Sequence, residues 1–475
     1  MHNKILAWAR TSPARHGLAV SAAVVALGGM VLLRGSGVAQ ARGTPAVDPP
    51  GALLFRGAGA QGNLALSQRV VLAGSEQRFF AEIKLRATEG EGTKVRAPLS
   101  LVVAIDTSGS MEGQKIDDAR RAVARLLSDM RDDDEIALVR FASDAEVLQP
   151  LARVGPVRAR LLERVAELVA SGGTAIPEAL RRSLEAIGPA SSQRVRRLVL
   201  ASDGIDSGRE AAAQIARQAA TAGLVVSSLG IGLDFDEAYL GAVAQAGGGN
   251  FGFVREGNDL ARFLKKELEE GATTTLQAAQ VRLTLPAGVR LVHAAGAEAR
   301  ADGPVVTLAL GSLFAGDERR VVVELAAELT DGQRGPLEAV ASWDRVGSGH
   351  EQATLGSVAV VASTDAARVA ASRDGAVLAS VTSVTTSRRQ MEAIEAYNRG
   401  DEAGAQRLID RNIADLQAAK ASAPAPLATA LESQSSSYAA TGSSFRAAKP
   451  SSPLGKDSAK KSAEKNVSNL YRSKF

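Results

Sequence analysis

Asp106-Thr107-Ser108-Gly109-Ser110 sets one carboxylate and two hydroxyls at alternate positions, immediately ahead of a helical pattern. Two more oxygen-rich stretches follow, Gly172-Gly173-Thr174 and Ser202-Asp203-Gly204. Brought together, Asp106, Ser108, Ser110, Thr174 and Asp203 would make a cluster of two carboxylates and three hydroxyls, with glycines that let the backbone approach closely. Hard oxygen donors without nitrogen or sulfur select Mg²⁺, Mn²⁺ or Ca²⁺, and Mg²⁺ keeps several waters, so a coordination position stays available. The composition agrees, because the 475 residues include no cysteine and four histidines, of which His2 and His16 lie at the extreme N-terminus. Disulfides, thiolate zinc and cysteine nucleophiles are thereby excluded, and histidine catalysis is poorly supplied.

The elements that must position this cluster read as an α/β domain over 98–271. Residues 99–106 are a near-continuous apolar run, the mark of a strand buried on both faces. Ile116, Ala119, Val123, Leu126, Leu127 and Met130 then recur at helical spacing. Strands over 135–142, 197–203, 225–231 and 250–255 alternate with helices over 157–170, 177–187, 209–222, 235–246 and 259–270. Such alternation predicts a doubly wound, mostly parallel sheet with helices on both faces. Ligands in such sheets sit beyond the carboxyl ends of the strands where strand order reverses, and Asp106 and Asp203, both at strand ends, converge there if their strands flank the reversal. Between 272 and 363 the helical period gives way to short strands separated by Gly, Pro and Asp, a small antiparallel sandwich. Two strands in 63–97 cannot stand alone and are read as its first part, with the α/β domain inserted. Residues 42–62 read as a linker, 364–421 as a helical hairpin broken at Asn398-Arg399-Gly400-Asp401, and 422–475 as a disordered basic tail poor in large apolar residues.

At the three loops the chain resembles the von Willebrand factor A domain family, whose metal-ion-dependent adhesion site reads D-x-S-x-S, then Thr, then Asp. Asp106, Ser108 and Ser110 match the first loop, Thr174 the second and Asp203 the third. The resemblance implies that the serines and the threonine touch the metal directly and the aspartates mostly through water. It also implies that a carboxylate from a partner protein fills the open position. Taken singly, each loop has an ordinary use: Ser108 or Ser110 would cap a helix, and Asp203-Gly204 would be a turn. Order and placement at strand ends carry the signal. The flanking sandwich and hairpin look like those of bacterial exported A-domain proteins, a weaker match.

The net charge of +4 is unevenly spread. Lys4, Arg10, Arg15 and Arg34 face no acid in 1–41, and seven basic residues in 449–475 face only Asp457 and Glu464, which leaves the middle net acidic. No Lys/Arg stripe with interleaved aromatics marks the body, so nucleic acid is not an expected partner. The basic end is expected to be solubilising, with contact to an anionic surface or membrane as the alternative. The apolar run 17–33 followed by Ala39-Gln40-Ala41 reads as a signal peptide or an uncleaved anchor, either of which places the body in the periplasm, the cell envelope or the medium. Asp132-Asp133-Asp134-Glu135 reads as a solvated turn, Asp234 and Asp236 as serving the next helix, and His293 and His350 as structural or exposed. The reading that follows is a non-enzymatic module capturing an exposed Asp or Glu of a partner protein through a divalent cation. A metal-assisted hydrolase at the same site is the alternative, and an envelope scaffold a third.

Overall fold

The computed structural model describes residues 52–472, apart from 89–96, 190–192, 205 and 256. The N-terminal segment read as a signal or anchor lies outside the described residues.

Four strands come first: β1 (Ala52–Gly57), β2 (Ala60–Leu66), β3 (Val70–Leu72) and β4 (Gln77–Ala87). The α/β domain then runs through β5 (Leu99–Asp106), α1 (Gln114–Asp129), β6 (Glu135–Phe141), β7 (Ala145–Arg153), α2 (Val154–Ala166), α3 (Ile176–Ile187) and β8 (Val195–Ser202). It closes with α4 (Arg209–Thr221), β9 (Leu224–Ile231), α5 (Glu237–Ala246), β10 (Gly248–Val254) and α6 (Gly257–Ala272). Its sheet has the order β10-β9-β8-β5-β6-β7, parallel except for the antiparallel edge β7. Every residue of β5, β8 and β9 is buried, as the apolar runs require. Val102, Ala104 and Leu200 face the α3–α5 side, and Leu101, Val103 and Ile105 face α1, α2 and α6. Strand order reverses at β5, which has β6 on one side and β8 on the other.

The chain returns to strands in β11 (Thr274–Thr284), β12 (Val289–Ala295), β13 (Glu298–Asp302), β14 (Val305–Phe314), β15 (Glu318–Ala327), β16 (Arg334–Arg345) and β17 (Gly349–Ser363). They join the N-terminal strands in two sheets, β1-β2-β4-β15-β12 and β13-β14-β11-β16-β17-β3. The α/β domain therefore interrupts a sandwich whose first strands precede it. The segment 42–62, expected as a linker, is corrected over its described part, because β1 pairs with β2 along its length and Phe55 is buried 6.4 Å, centroid to centroid, from Trp343. Leu53 and Phe55 supply the apolar face that the Gly and Ala content concealed.

A helical layer follows: α7 (Ala366–Ala371), α8 (Gly375–Asn398), α9 (Glu402–Lys420), α10 (Ala425–Ala447) and α11 (Pro453–Arg472). The tail expected to be disordered is thus two helices over its described residues. Leu431, Tyr438, Phe445, Ala459, Ala463 and Val467 share one core with Tyr239 and Val243 of α5. The stripe that packs is made of small and polar residues around a few large ones, a pattern that composition reads as unable to fold. Tyr397 of α8 stacks on Phe445 at 3.7 Å between ring centroids and donates to the Ala448 carbonyl at 2.6 Å. Lys456, Lys460 and Lys461 pair with Asp234, Glu237 and Asp457, and of the three lysines only Lys460 is buried. Among the described residues no helix is long and apolar enough to cross a membrane.

Candidate cation site

Asp106 is the last residue of β5, at the point of strand-order reversal. Thr107 fixes the exit of the chain by donating its amide (2.7 Å) and its hydroxyl (3.1 Å) to the Phe141 carbonyl of neighbouring β6. The chain then doubles back, so that the Ser108 amide donates to Asp106 Oδ1 at 2.8 Å. A short 3₁₀ turn, Gly109–Met111, carries Ser110 to the rim, where its hydroxyl is 3.0 Å from that of Ser108 and donates to Asp203 Oδ1 at 2.7 Å.

The second loop is tied to the first by backbone alone. Gly109 donates to the Gly172 carbonyl (2.9 Å) and Ser171 to the Thr107 carbonyl (2.7 Å), which brings Thr174 beside the third loop. A methyl group placed on Gly204 would collide with the Thr174 hydroxyl, so glycine is what lets the second and third loops meet. The third loop leaves β8 through Ser202, whose hydroxyl donates to Asp106 Oδ2 and accepts from the Gly204 amide at 3.1 Å. The structure therefore brings all five residues to one end of the sheet, Asp106, Ser108 and Asp203 buried and Ser110 exposed.

Burial holds the Asp106 carboxyl above the ordinary range; hydrogen bonds from Ser108 and Ser202 work against this, and the neighbouring Asp203 charge adds to it. Among the described residues no group of three His, Cys, Asp or Glu side chains converges, so a cation here would rest on mixed carboxylate and hydroxyl oxygens. That donor chemistry suits a hard divalent ion.

Three residues of the site were not found from the sequence. Ser202 braces Asp106, as above. Asp206 joins the second and third loops by accepting from the Ile176 amide at the start of α3 (2.8 Å) and from the Gly208 amide, and its two-residue spacing to Gly208 was the available signal. Lys115 of α1 reaches back to pair with Asp203 Oδ2 and donates to the Ser110 carbonyl at 3.1 Å, although a lysine in a first helical turn reads as solvated. Elsewhere, Asp134 corrects the solvated reading of the acidic run. It is buried and accepts from the amides of Leu99 (3.1 Å) and Arg131 (3.0 Å), pinning the starts of β5 and β6. Asp236 caps α5 through the Ala238 and Tyr239 amides, whereas Asp234 pairs with Lys456 across to α11. His350 lies 2.8 Å from Asp344 across the β16–β17 hairpin, and burial lowers the pKa of His293.

The profile of the von Willebrand factor type A domain matches residues 100–266. Relatives include an uncharacterised protein of Synechocystis, 26% identical over 194 residues (40% of this chain, 46% of that one), and protein YfbK of Escherichia coli, 24% identical over 237 residues (48% and 40%). The chain thus spans less than half the length of these relatives. Inter-alpha-trypsin inhibitor heavy chain H4 of Sus scrofa is 30% identical over 192 residues, 38% of this chain and 21% of that one. Among solved structures, a von Willebrand factor type A protein from Catenulispora acidiphila has a TM-score of 0.67 at 19% identity, covering 88% of this chain and 99% of that one. The ArnB paralog VWA2 from Sulfolobus acidocaldarius has a TM-score of 0.58 at 15% identity, covering 86% and 99%. At these identities the likeness concerns fold, and it extends beyond the α/β domain to the sandwich and helical layer. From the profile match, the sheet order and the three joined loops together, the chain carries a von Willebrand factor type A domain over residues 100–266, set between the two parts of a β-sandwich.

Proposed function

We propose that the α/β domain is a non-enzymatic protein-binding module. It holds a divalent cation (Mg²⁺, Mn²⁺ or Ca²⁺) at Asp106, Ser108, Ser110, Thr174 and Asp203, and captures an exposed Asp or Glu of a partner protein. The observation that carries this reading is the convergence of three loops on one open-rimmed cluster, two buried carboxylates beneath the exposed Ser110. A cation bound there would offer an exchangeable position to an incoming carboxylate, a contact both strong and directional. The chain's own part is to hold its oxygens in place through the Thr107–Phe141 and Gly109–Gly172 bonds, so little ordering remains for the moment of binding. A family that often serves protein–protein interaction supports the binding role. The run 17–33 and Ala39-Gln40-Ala41 support action outside the cytoplasm, in the envelope or the medium.

The test is affinity capture from envelope extract in Mg²⁺ and in EDTA, with wild type and Asp106→Ala. A protein retained by wild type in Mg²⁺ and released by EDTA, but not retained by Asp106→Ala, is the expected result. Full retention by Asp106→Ala would reduce the five residues to turn and cap chemistry. Phosphoester turnover in Mg²⁺ that Asp106→Ala abolishes would replace the module with a hydrolase.

A further inference from the structure

Lys115 is placed to act on the cation site without being one of its oxygen donors. Its ammonium touches two members of the cluster, the Asp203 carboxylate and the Ser110 carbonyl. The Asp203 side chain is fully buried, while that of Lys115 is 30% exposed, so the lysine enters from solvent along the rim. Its path passes Gly232, which has φ +78°, and a methyl there would press on Lys115 Cε at 3.1 Å. Asp106, by contrast, is held by the neutral donors Ser108 N and Ser202 Oγ.

We propose that Lys115 is a tethered counter-ion of the cation site, occupying the Asp203 side of the cluster when no metal is bound and yielding it, in whole or part, when a divalent cation enters. This rests on the cation-site reading above. Two carboxylates at a buried loop cluster repel, and one fixed ammonium offsets one of them. The cation-free domain is thereby kept folded, and an entering ion meets a site of lower net charge. A monovalent ion then gains nothing over the ammonium already present. A divalent ion gains from both carboxylates at once, so the tether sharpens selection for divalent cations and sets the concentration at which the site fills.

The experiment is calorimetric titration of the full chain with Mg²⁺, Mn²⁺ and Ca²⁺, paired with thermal midpoints in EDTA and in saturating Mg²⁺, for wild type, Lys115→Met, Lys115→Gln and Lys115→Arg. Removing the charge should tighten Mg²⁺ binding by about tenfold or more. Lys115→Met and Lys115→Gln should also melt earlier than wild type in EDTA and regain the difference in Mg²⁺, while Lys115→Arg follows wild type in both. Unchanged or weaker Mg²⁺ affinity in the uncharged variants, or a midpoint lowered equally with and without Mg²⁺, would make Lys115 an ordinary ion-pair partner and leave the cation site standing. Absence of uptake of all three ions by wild type and variants alike would overturn both readings.

Discussion

The loops at the carboxyl end of the central sheet and the interior of the helical layer both bury polar side chains, and they do so in opposite ways. At the loops the buried groups include two carboxylates, and the cluster reaches solvent at Ser110 and Lys115. Where α8, α10 and α11 meet, the linked groups are neutral amides and hydroxyls, and the buried Lys460–Glu237 pair lies apart, where α11 meets α5. The Tyr438 hydroxyl donates to Asn466 at 2.6 Å, Gln434 Nε2 donates to Tyr438 (2.8 Å) and to Ser387 (3.0 Å), and Asn469 donates to Ser383 and Ser387 at 3.0 and 2.8 Å. Of these six side chains only Asn469 keeps a buried oxygen without a partner. A closed neutral network specifies how α8, α10 and α11 dock, whereas an open charged one leaves electrostatic work for a ligand to complete.

The largest effect expected from this contrast is on removing the helices that hold the closed network. Ending the chain after residue 421 strips Leu431, Tyr438, Phe445 and Val467 from a core shared with α5, and should lower the calorimetric midpoint by at least about 10 °C. An unchanged midpoint would break the comparison by showing that α10 and α11 are accessory. Next comes the open cluster, where Mg²⁺ at a hundredfold excess over its dissociation constant should stabilise the protein by about 2.7 kcal/mol. Asp106→Ala should abolish that gain in thermal melts and keep the fold, because it also removes half of the repulsion with Asp203. Tyr438→Phe should cost about 1.5 kcal/mol in denaturant unfolding by leaving the buried Asn466 Oδ1 without its donor, and Mg²⁺ should not restore it.

The smallest effect concerns Glu464 of α11, whose pKa is raised by burial, against a hydrogen bond from the Phe253 backbone and the positive charges of Lys266, Lys465 and Arg262. A carboxyl raised in the folded state favours folding below its unfolded pKa, and that contribution is lost as pH rises through the folded value. Glu464→Gln should therefore raise the midpoint at pH 7 by about 1 °C, and lose the advantage near pH 4, in melts across pH. An advantage that persists undiminished in acid would trace it to packing instead.

Sequence by itself determined the α/β core and the oxygen cluster for a local reason. A strand buried on both faces must be an unbroken apolar run, as in Leu99–Asp106, and loops at strand ends carry their donors in a few consecutive residues. The interrupted sandwich was legible for the same reason, from period-2 stretches such as Phe80-Ala81-Glu82-Ile83. Only the tertiary structure decided the rest. Phe55 became a strand residue because Trp343, far along the chain, lies against it, and Ala459, Ala463, Asn466 and Val467 became a packed stripe because α5 and α8 supply apolar contact and Tyr438 of α10 a hydrogen bond. Ser202, Asp206 and Lys115 belong to the site through partners that lie on other loops, at Asp106, Ile176 and Asp203. Residues of these types are ordinary in any local window, and their part in the site exists only once the strands have set three distant loops side by side.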